Sequence, residues 1–263
     1  MKDNAARTVW ARNGAVLNGW LGIPSCISAE NMAQCGWDTL TVDLQHGHID
    51  YQMAVSMLQA ISTTAVTPFA RVPWCEPGII MKLLDAGAFG IICPMINSRA
   101  ECEAFVGACR YAPRGYRSFG PVRATWYGGA DYFQKADDTI VAMAMIETVQ
   151  AVERLDEILT VPGLDGIYIG PNDLAITLGR APSGDPTDPL VLDTIDTILA
   201  AAKRHGVRAG LHCGSTAMAK RMIAKGFQFT TLLADNALLN AAARAAVNDV
   251  RDANVAPGCG SSY

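Results

Sequence analysis

Histidine is scarce in this chain, four residues in 263, and the 21 lysines and arginines are outnumbered by 25 acids. No basic block occurs, which argues against nucleic acid or an anionic membrane as a partner and for a small-molecule ligand. Long apolar runs are missing too: none nears the ~18 residues of a membrane span. The opening MKDNAARTVWARNGAVLNGW scatters charge where a signal peptide needs a continuous apolar stretch. A cytoplasmic protein is expected. The eight cysteines include no CxxC pair, which predicts reduced thiols and leaves zinc-ribbon chemistry unsupported.

What the chain does have is apolar residue, half of its composition against 17% charged, enough for a large core. Eight short apolar or β-branched runs recur: AVLNGWLGI (15–23), DTLTVDLQ (38–45), TPFARV (67–72), GIICPMI (90–96), VAMAMIET (141–148), GIYIGP (166–171), RAGLHC (208–213) and FTTLLAD (229–235). Between most of them lie segments of helical period, such as DYQMAVSMLQAIS and DTIDTILAAAKRHG, several ending in a Gly that favours a helix C-terminus. Alternation of this kind predicts a parallel sheet. Eight units in a chain of this length predict an α/β fold closed as a (β/α)8 TIM barrel. The barrel is expected to occupy residues 1–250 as one domain, with 251–263 a loose tail. Two loops stand out: 112–137, rich in Gly, Arg and aromatics and expected to cover a site, and GRAPSGDPTDP at 179–189.

Active sites in such barrels sit at the C-terminal ends of the strands. The polar residues there are Asp43, Gln45 and His46; Arg71; Glu147; Gly170, Pro171, Asn172 and Asp173; His212, Cys213, Gly214 and Ser215; and Asp235. Glu147 and Asp173 bring two carboxylates to one mouth without a lysine between them, a pair suited to a hard divalent ion such as Mg2+ or Mn2+. The competing interpretation is that Asp173 caps the next helix and Glu147 pairs with an arginine. Arg71 ends an apolar strand, and its fork matches a carboxylate or enolate oxygen, although a surface role is open. His46 beside Asp43, with Asp85 in LLDAG as a further acid, becomes a candidate base; alone it would be structural, and His48 is assigned to the loop. HCGS could cradle an anion on its N–H groups or merely make a tight turn. None of the six lysines falls at a strand end, which disfavours a Schiff-base aldolase.

The ordered set VDLQHG, RVPW, LLDAGAFGIICPMI, RYAPRGYRS, MIET and GLDGIYIGPNDLA resembles the HpcH/HpaI aldolase family across roughly residues 15–245. The resemblance implies a class II pyruvate aldolase with Mg2+, Mn2+ or Co2+ held by Glu147 and Asp173. It implies Arg71 at the keto or enolate oxygen, His46 in proton transfer, and Asp43 and Asp85 as acids associated with that histidine. Gln45, Gly170 to Asp173 and Cys213 are expected to line the substrate. The partners implied are a 2-oxo acid and an aldehyde, and further copies of the chain, with the last helix exchanged in a hexamer. Two positions depart from the family pattern: Gln45 stands where Glu often precedes the histidine, and Met145 where glutamine is common, which bears on substrate preference. The rivals are a citrate-lyase-like or malyl-thioester lyase and a non-catalytic barrel that binds 2-oxo acids.

Overall fold

The computed structural model describes residues 1–255. Its strands are β1 (Val16–Leu21), β2 (Thr39–Asp43), β3 (Thr67–Arg71), β4 (Gly90–Cys93), β5 (Val141–Ile146), β6 (Gly166–Ile169), β7 (Arg208–Cys213) and β8 (Phe229–Ala234). Each falls inside one of the eight expected runs. Neighbours pair in parallel in chain order, and β8 closes on β1, so the sheet is the expected (β/α)8 barrel.

Helix α1 (Ala5–Ala11) precedes the barrel, and α2 (Cys26–Ala33), α3 (Tyr51–Ile61) and α4 (Pro77–Asp85) follow the first three strands. The crossover from β4 to β5 holds α5 (Arg99–Cys109), α6 (Val122–Gly128) and α7 (Tyr132–Thr139). Then come α8 (Val149–Glu153), α9 (Leu155–Leu159), α10 (Pro171–Thr177), α11 (Pro189–His205), α12 (Thr216–Lys225) and α13 (Asp235–Val255). Caps match the sequence: Asp50, Ser98, Thr148, Asp188 and Ser215 each accept a first-turn N–H.

Side-chain parity divides the core in two. Trp20, Phe69, Ile92, Met143, Tyr168 and Phe229 fill the barrel interior, with Trp10 of α1 packed against Phe229 at the strands' N-terminal end, ring centroids 6.4 Å apart. The alternate positions, Leu40, Ala70, Ile91, Ala144, Ile167 and Leu211 among them, face the helices. Burying a large apolar side chain contributes roughly 1.5–3 kcal/mol, so these two layers supply the main stabilisation. The interior also carries a polar row: Asn18 Oδ1 accepts from the hydroxyls of Thr39 (2.8 Å) and Thr41 (3.0 Å), and its Nδ2 donates to Thr231 Oγ1 (2.9 Å).

The 112–137 segment does not cover the strands' C-terminal ends. A helix following a parallel strand runs back down the barrel, so the connection leaving α5 emerges at the opposite, N-terminal end. There Arg123 bonds Ser62 beyond the end of α3, and Lys2 N–H donates to Gly128 O. The same geometry separates Asp85 from His46 within one chain. It is the last residue of α4, and its carboxylate takes Arg117 Nη2 at 2.7 Å, at the far end of the barrel from His46. Residues 251–255, expected in a loose tail, are the last turn of α13; the remainder of that tail, 256–263, lies outside the described residues.

Candidate active site

The inward parity of each strand leads to its C-terminal end, and there it gathers Asp43, Arg71, Glu147, Gly170 and His212. Asp43 and Arg71 are register partners on β2 and β3. The buried Asp43 carboxylate accepts from Arg71 Nε (2.8 Å) and Nη2 (2.6 Å), and from Trp20 Nε1 (3.0 Å). It also accepts the N–H groups of Gln45 (3.0 Å) and His46 (3.3 Å). Burial pushes this carboxyl upward, but Arg71, Trp20 and the Gln45 N–H outweigh it and hold Asp43 below the usual carboxylate range. The guanidinium also lies over Trp20, 4.7 Å from the ring centroid. Two of its nitrogens are thus committed to Asp43, and Nη1 has no hydrogen-bond partner among the described residues.

Glu147, just past β5, is 2% exposed. Its Oε1 accepts the Met95 N–H at 2.9 Å, while Oε2 has no donor among the described residues. A Cβ on residue 170 would sit 2.4 Å from that Oε2, so only glycine leaves the oxygen room. Burial raises the Glu147 pKa first; the Met95 N–H and Arg71 pull against it, Asp173 adds to it, and the result is about 7. No ion pair neutralises Glu147 among the described residues, and the side chain of Asp173, in the first turn of α10, caps nothing. Both structural alternatives for this pair are therefore unrealised. A buried, unpaired carboxylate beside a second, exposed one is a donor set that fits a divalent cation. No group of three or more His, Cys, Asp and Glu side chains gathers among the described residues, so water and substrate oxygens would complete the coordination of such an ion.

Gly170, against which Glu147 Oε2 packs, lines a cavity of about 170 Å3 with Trp20, Met145 and Tyr168 as its floor. His46, Arg71 and Asp173 line it, as do Gly170, Pro171 and Asn172. No lysine does. Gln45 is only half-buried, and its Oε1 is sealed without a partner outside the cavity lining. Cys213 does not reach the cavity, because odd positions of β7 face the helices. Its thiol is buried in that outer layer and pushed up to about 12 by burial, while His212, one residue earlier, lines the cavity instead. The HCGS turn is not a free anion cradle either: Gly214 N–H donates to Gly184 O at 2.7 Å, and Ser215 caps α12 while bonding Asp185 at 2.9 Å. Asp185 also receives Arg221 at 2.6 Å, so this latch draws the 179–189 loop over the site and places Gly184 in the cavity wall. Asp235 is structural, accepting the N–H groups of Gly22 and Ile23.

The family model described as HpcH/HpaI aldolase/citrate lyase matches residues 19–242, which include every one of these site residues. The chain belongs to the HpcH/HpaI aldolase/citrate lyase family. It is 44% identical over 248 residues to a hydroxypyruvate/pyruvate aldolase of Rhizorhabdus wittichii, covering 94% of this chain and 99% of that relative. It is 36% identical over 229 residues to a 4-hydroxy-2-oxo-heptane-1,7-dioate aldolase of Escherichia coli, 86% of this chain and 87% of that relative. A crystal structure of a family protein from Burkholderia cenocepacia superposes with a TM-score of 0.87 at 31% identity, covering 94% of this chain and 98% of that one. Within this HpcH/HpaI barrel, Trp20, Tyr168, His212 and Gly184 also line the cavity, and of these sequence reasoning named only His212, as a strand-end residue without a role. The first three share the inward parity of Asp43 and Glu147, a signal present in the strand pattern; Gly184 comes from a loop and carries none.

Proposed function

We propose that this chain is a divalent-metal-dependent, class II aldolase that reversibly cleaves a 4-hydroxy-2-oxo acid into pyruvate, or a close 2-oxo acid, and an aldehyde. The observation that carries this reading is the pair Glu147 and Asp173, without an ion pair among the described residues, Asp173 lining one small cavity with Arg71 and His46 and Glu147 packed behind its Gly170 wall. Glu147 and Asp173 would hold Mg2+, Mn2+ or Co2+, which supplies a Lewis acid to the oxygens of the 2-oxo acid. Arg71, fixed by its fork to Asp43, has Nη1 left to meet the oxygen that gains negative charge as the carbon–carbon bond breaks. His46 lines the cavity without a side-chain partner and is free to take the proton of the C4 hydroxyl. The floor of Trp20, Met145 and Tyr168 shields the developing enolate from water.

A cavity of about 170 Å3 suits a small acid; pockets for drug-sized ligands run to roughly 300–1,000 Å3, and a coenzyme thioester is larger still. Helix α13 carries Leu239 (61% exposed), Val247 (47%) and Val250 (61%), and we assign this face to contact with further copies of the chain, with exchange of α13 in a hexamer. Seven free thiols among the described residues suit the reducing cytoplasm. The direct test is a panel of aldehydes incubated with pyruvate and Mg2+, Mn2+ or Co2+, with adducts identified by mass spectrometry.

A further inference from the structure

A histidine that serves only the core buries both ring nitrogens against protein partners. His212 does not. Its Nδ1 lies 3.2 Å from the Tyr168 hydroxyl, which donates its single proton to Thr231 Oγ1 at 2.8 Å. With the phenol proton on Thr231, the imidazole N–H donates to the phenolic oxygen and Nε2 keeps its lone pair, and the reversed chain of hydroxyls puts the N–H on Nε2 instead. Among the described residues Nε2 has no hydrogen-bond partner and is not one of the sealed, unpartnered polar atoms, so it opens on the cavity that His212 lines.

The ring is also fixed in place. It stands edge-on to Trp20, centroids 5.4 Å apart, and Trp20 in turn stacks on Tyr168 at 5.8 Å. Behind Tyr168, Thr231 accepts from Asn18 Nδ2 at 2.9 Å, so the imidazole terminates a buried polar row that crosses the barrel from β2. Burial, with the Arg71 charge adding to it and Asp43 opposing, holds the imidazole down to about 4. At neutral pH it is an uncharged hydrogen-bonding group beside the rings of Trp20 and Tyr168. An uncharged acceptor gains little from a carboxylate. A hydroxyl suits it, as donor to the lone pair, and would also suit the reverse tautomer as acceptor.

Resting on the aldolase reading above, we propose that His212 is a specificity-determining residue that receives a hydroxyl of the substrate on Nε2, so that the site favours hydroxylated over deoxy substrates. Tyr168 is its positioning residue. The hydroxyl could belong to the 2-oxo acid, as in hydroxypyruvate, or to the aldehyde, as in glycolaldehyde, and the two sources separate experimentally.

The test compares wild type with His212→Phe, which keeps the ring, and His212→Gln, which keeps a polar end. Calorimetric titration with pyruvate and with hydroxypyruvate, Mg2+ present, reads the donor side without turnover. Values of kcat/KM for pyruvate with acetaldehyde against glycolaldehyde read the acceptor side. His212→Phe is expected to lower the hydroxylated-to-deoxy ratio by roughly fivefold to tenfold in one arm, with partial recovery in His212→Gln. Tyr168→Phe is expected to lower the same ratio less. A change in the calorimetric arm assigns the hydroxyl to the 2-oxo acid, and a change confined to kinetics assigns it to the aldehyde. Equal ratios in wild type and His212→Phe in both arms overturn the inference. Aldol turnover persisting with pyruvate and acetaldehyde while the ratios stay equal sinks the role of His212 alone. Loss of turnover with every pair in wild type sinks the aldolase reading, and the calorimetric arm then decides His212 by itself.

Discussion

Asp43 holds Arg71 by both edges of one carboxylate, at 2.8 and 2.6 Å, while the Arg71 guanidinium rests on Trp20. The two residues end adjacent strands in register, so a barrel wall and an ion pair fix one nitrogen of the fork toward the cavity. The Arg71 side chain is 11% exposed, so loss of Asp43 would leave a largely desolvated cation without its partner.

Asp43→Asn should therefore cost more than a surface pair would. Removing one partner of a buried pair typically costs about 3–5 kcal/mol, and cleavage should fall with the loss of Arg71 placement. Because the folded-state pKa of Asp43 is depressed, its stabilisation is present above the ordinary carboxylate value and is lost as pH falls through the folded value. Urea unfolding of wild type and variant between pH 3 and 7 checks this: the two curves should converge toward the acid end. A constant difference would contradict the pairing.

Glu147 predicts the opposite slope in metal-free protein. Its pKa rises from 4.5 unfolded to about 7 folded, so stability is full below 4.5 and declines as pH rises through 7. Glu147→Gln should flatten that decline. Metal must displace the same proton, so affinity should climb with pH up to about 7 and level off. Proton release measured by calorimetry in two buffers of different ionisation enthalpy checks it.

His46 touches no carboxylate through its ring, yet it lines the cavity beside Arg71. His46→Ala should keep near-normal metal affinity and lose roughly 10²–10⁴-fold in cleavage rate, with no recovery on adding metal. Arg71→Lys should fail as well, because an ammonium cannot bond Asp43 at two points and still present a third nitrogen.

Helix α13 should drive association. Light scattering at micromolar concentration is expected to give a particle several times the 28.0 kDa of one chain. Replacing Leu239, Val247 and Val250 by Gln should reduce it while leaving the barrel's circular dichroism unchanged. A 28.0 kDa wild-type particle would contradict the assignment.

The strand pattern was legible because each strand of a barrel is a short apolar run, and all eight expected runs contain a strand. The ends of those strands carried Asp43, Arg71 and Glu147 with them. What failed was parity and direction. Choosing Cys213 over His212 slips one residue along β7, which turns a side chain from the cavity to the helices. Tyr168 and Trp20 looked like core because they are core on one side and cavity floor on the other. The 112–137 segment and Asp85 have the residue types of a site. Their distance from the site of their own chain follows only from the return path of the helices after β3 and β4. The latch of Asp185 on Ser215 and Arg221 joins residues 30 and 36 positions apart and has no local signature.

The central claim is that Glu147 and Asp173 hold the metal on which cleavage depends, and that His46 acts without binding it. Titrating Mn2+ into wild type, Glu147→Gln, Asp173→Asn and His46→Ala by calorimetry, beside coupled measurement of pyruvate release, tests it most directly. The account predicts that the two carboxylate variants lose metal affinity and pyruvate release together, with partial rescue by excess metal, while His46→Ala binds Mn2+ normally and stays inactive. Loss of the metal in His46→Ala with its retention in Glu147→Gln would contradict it.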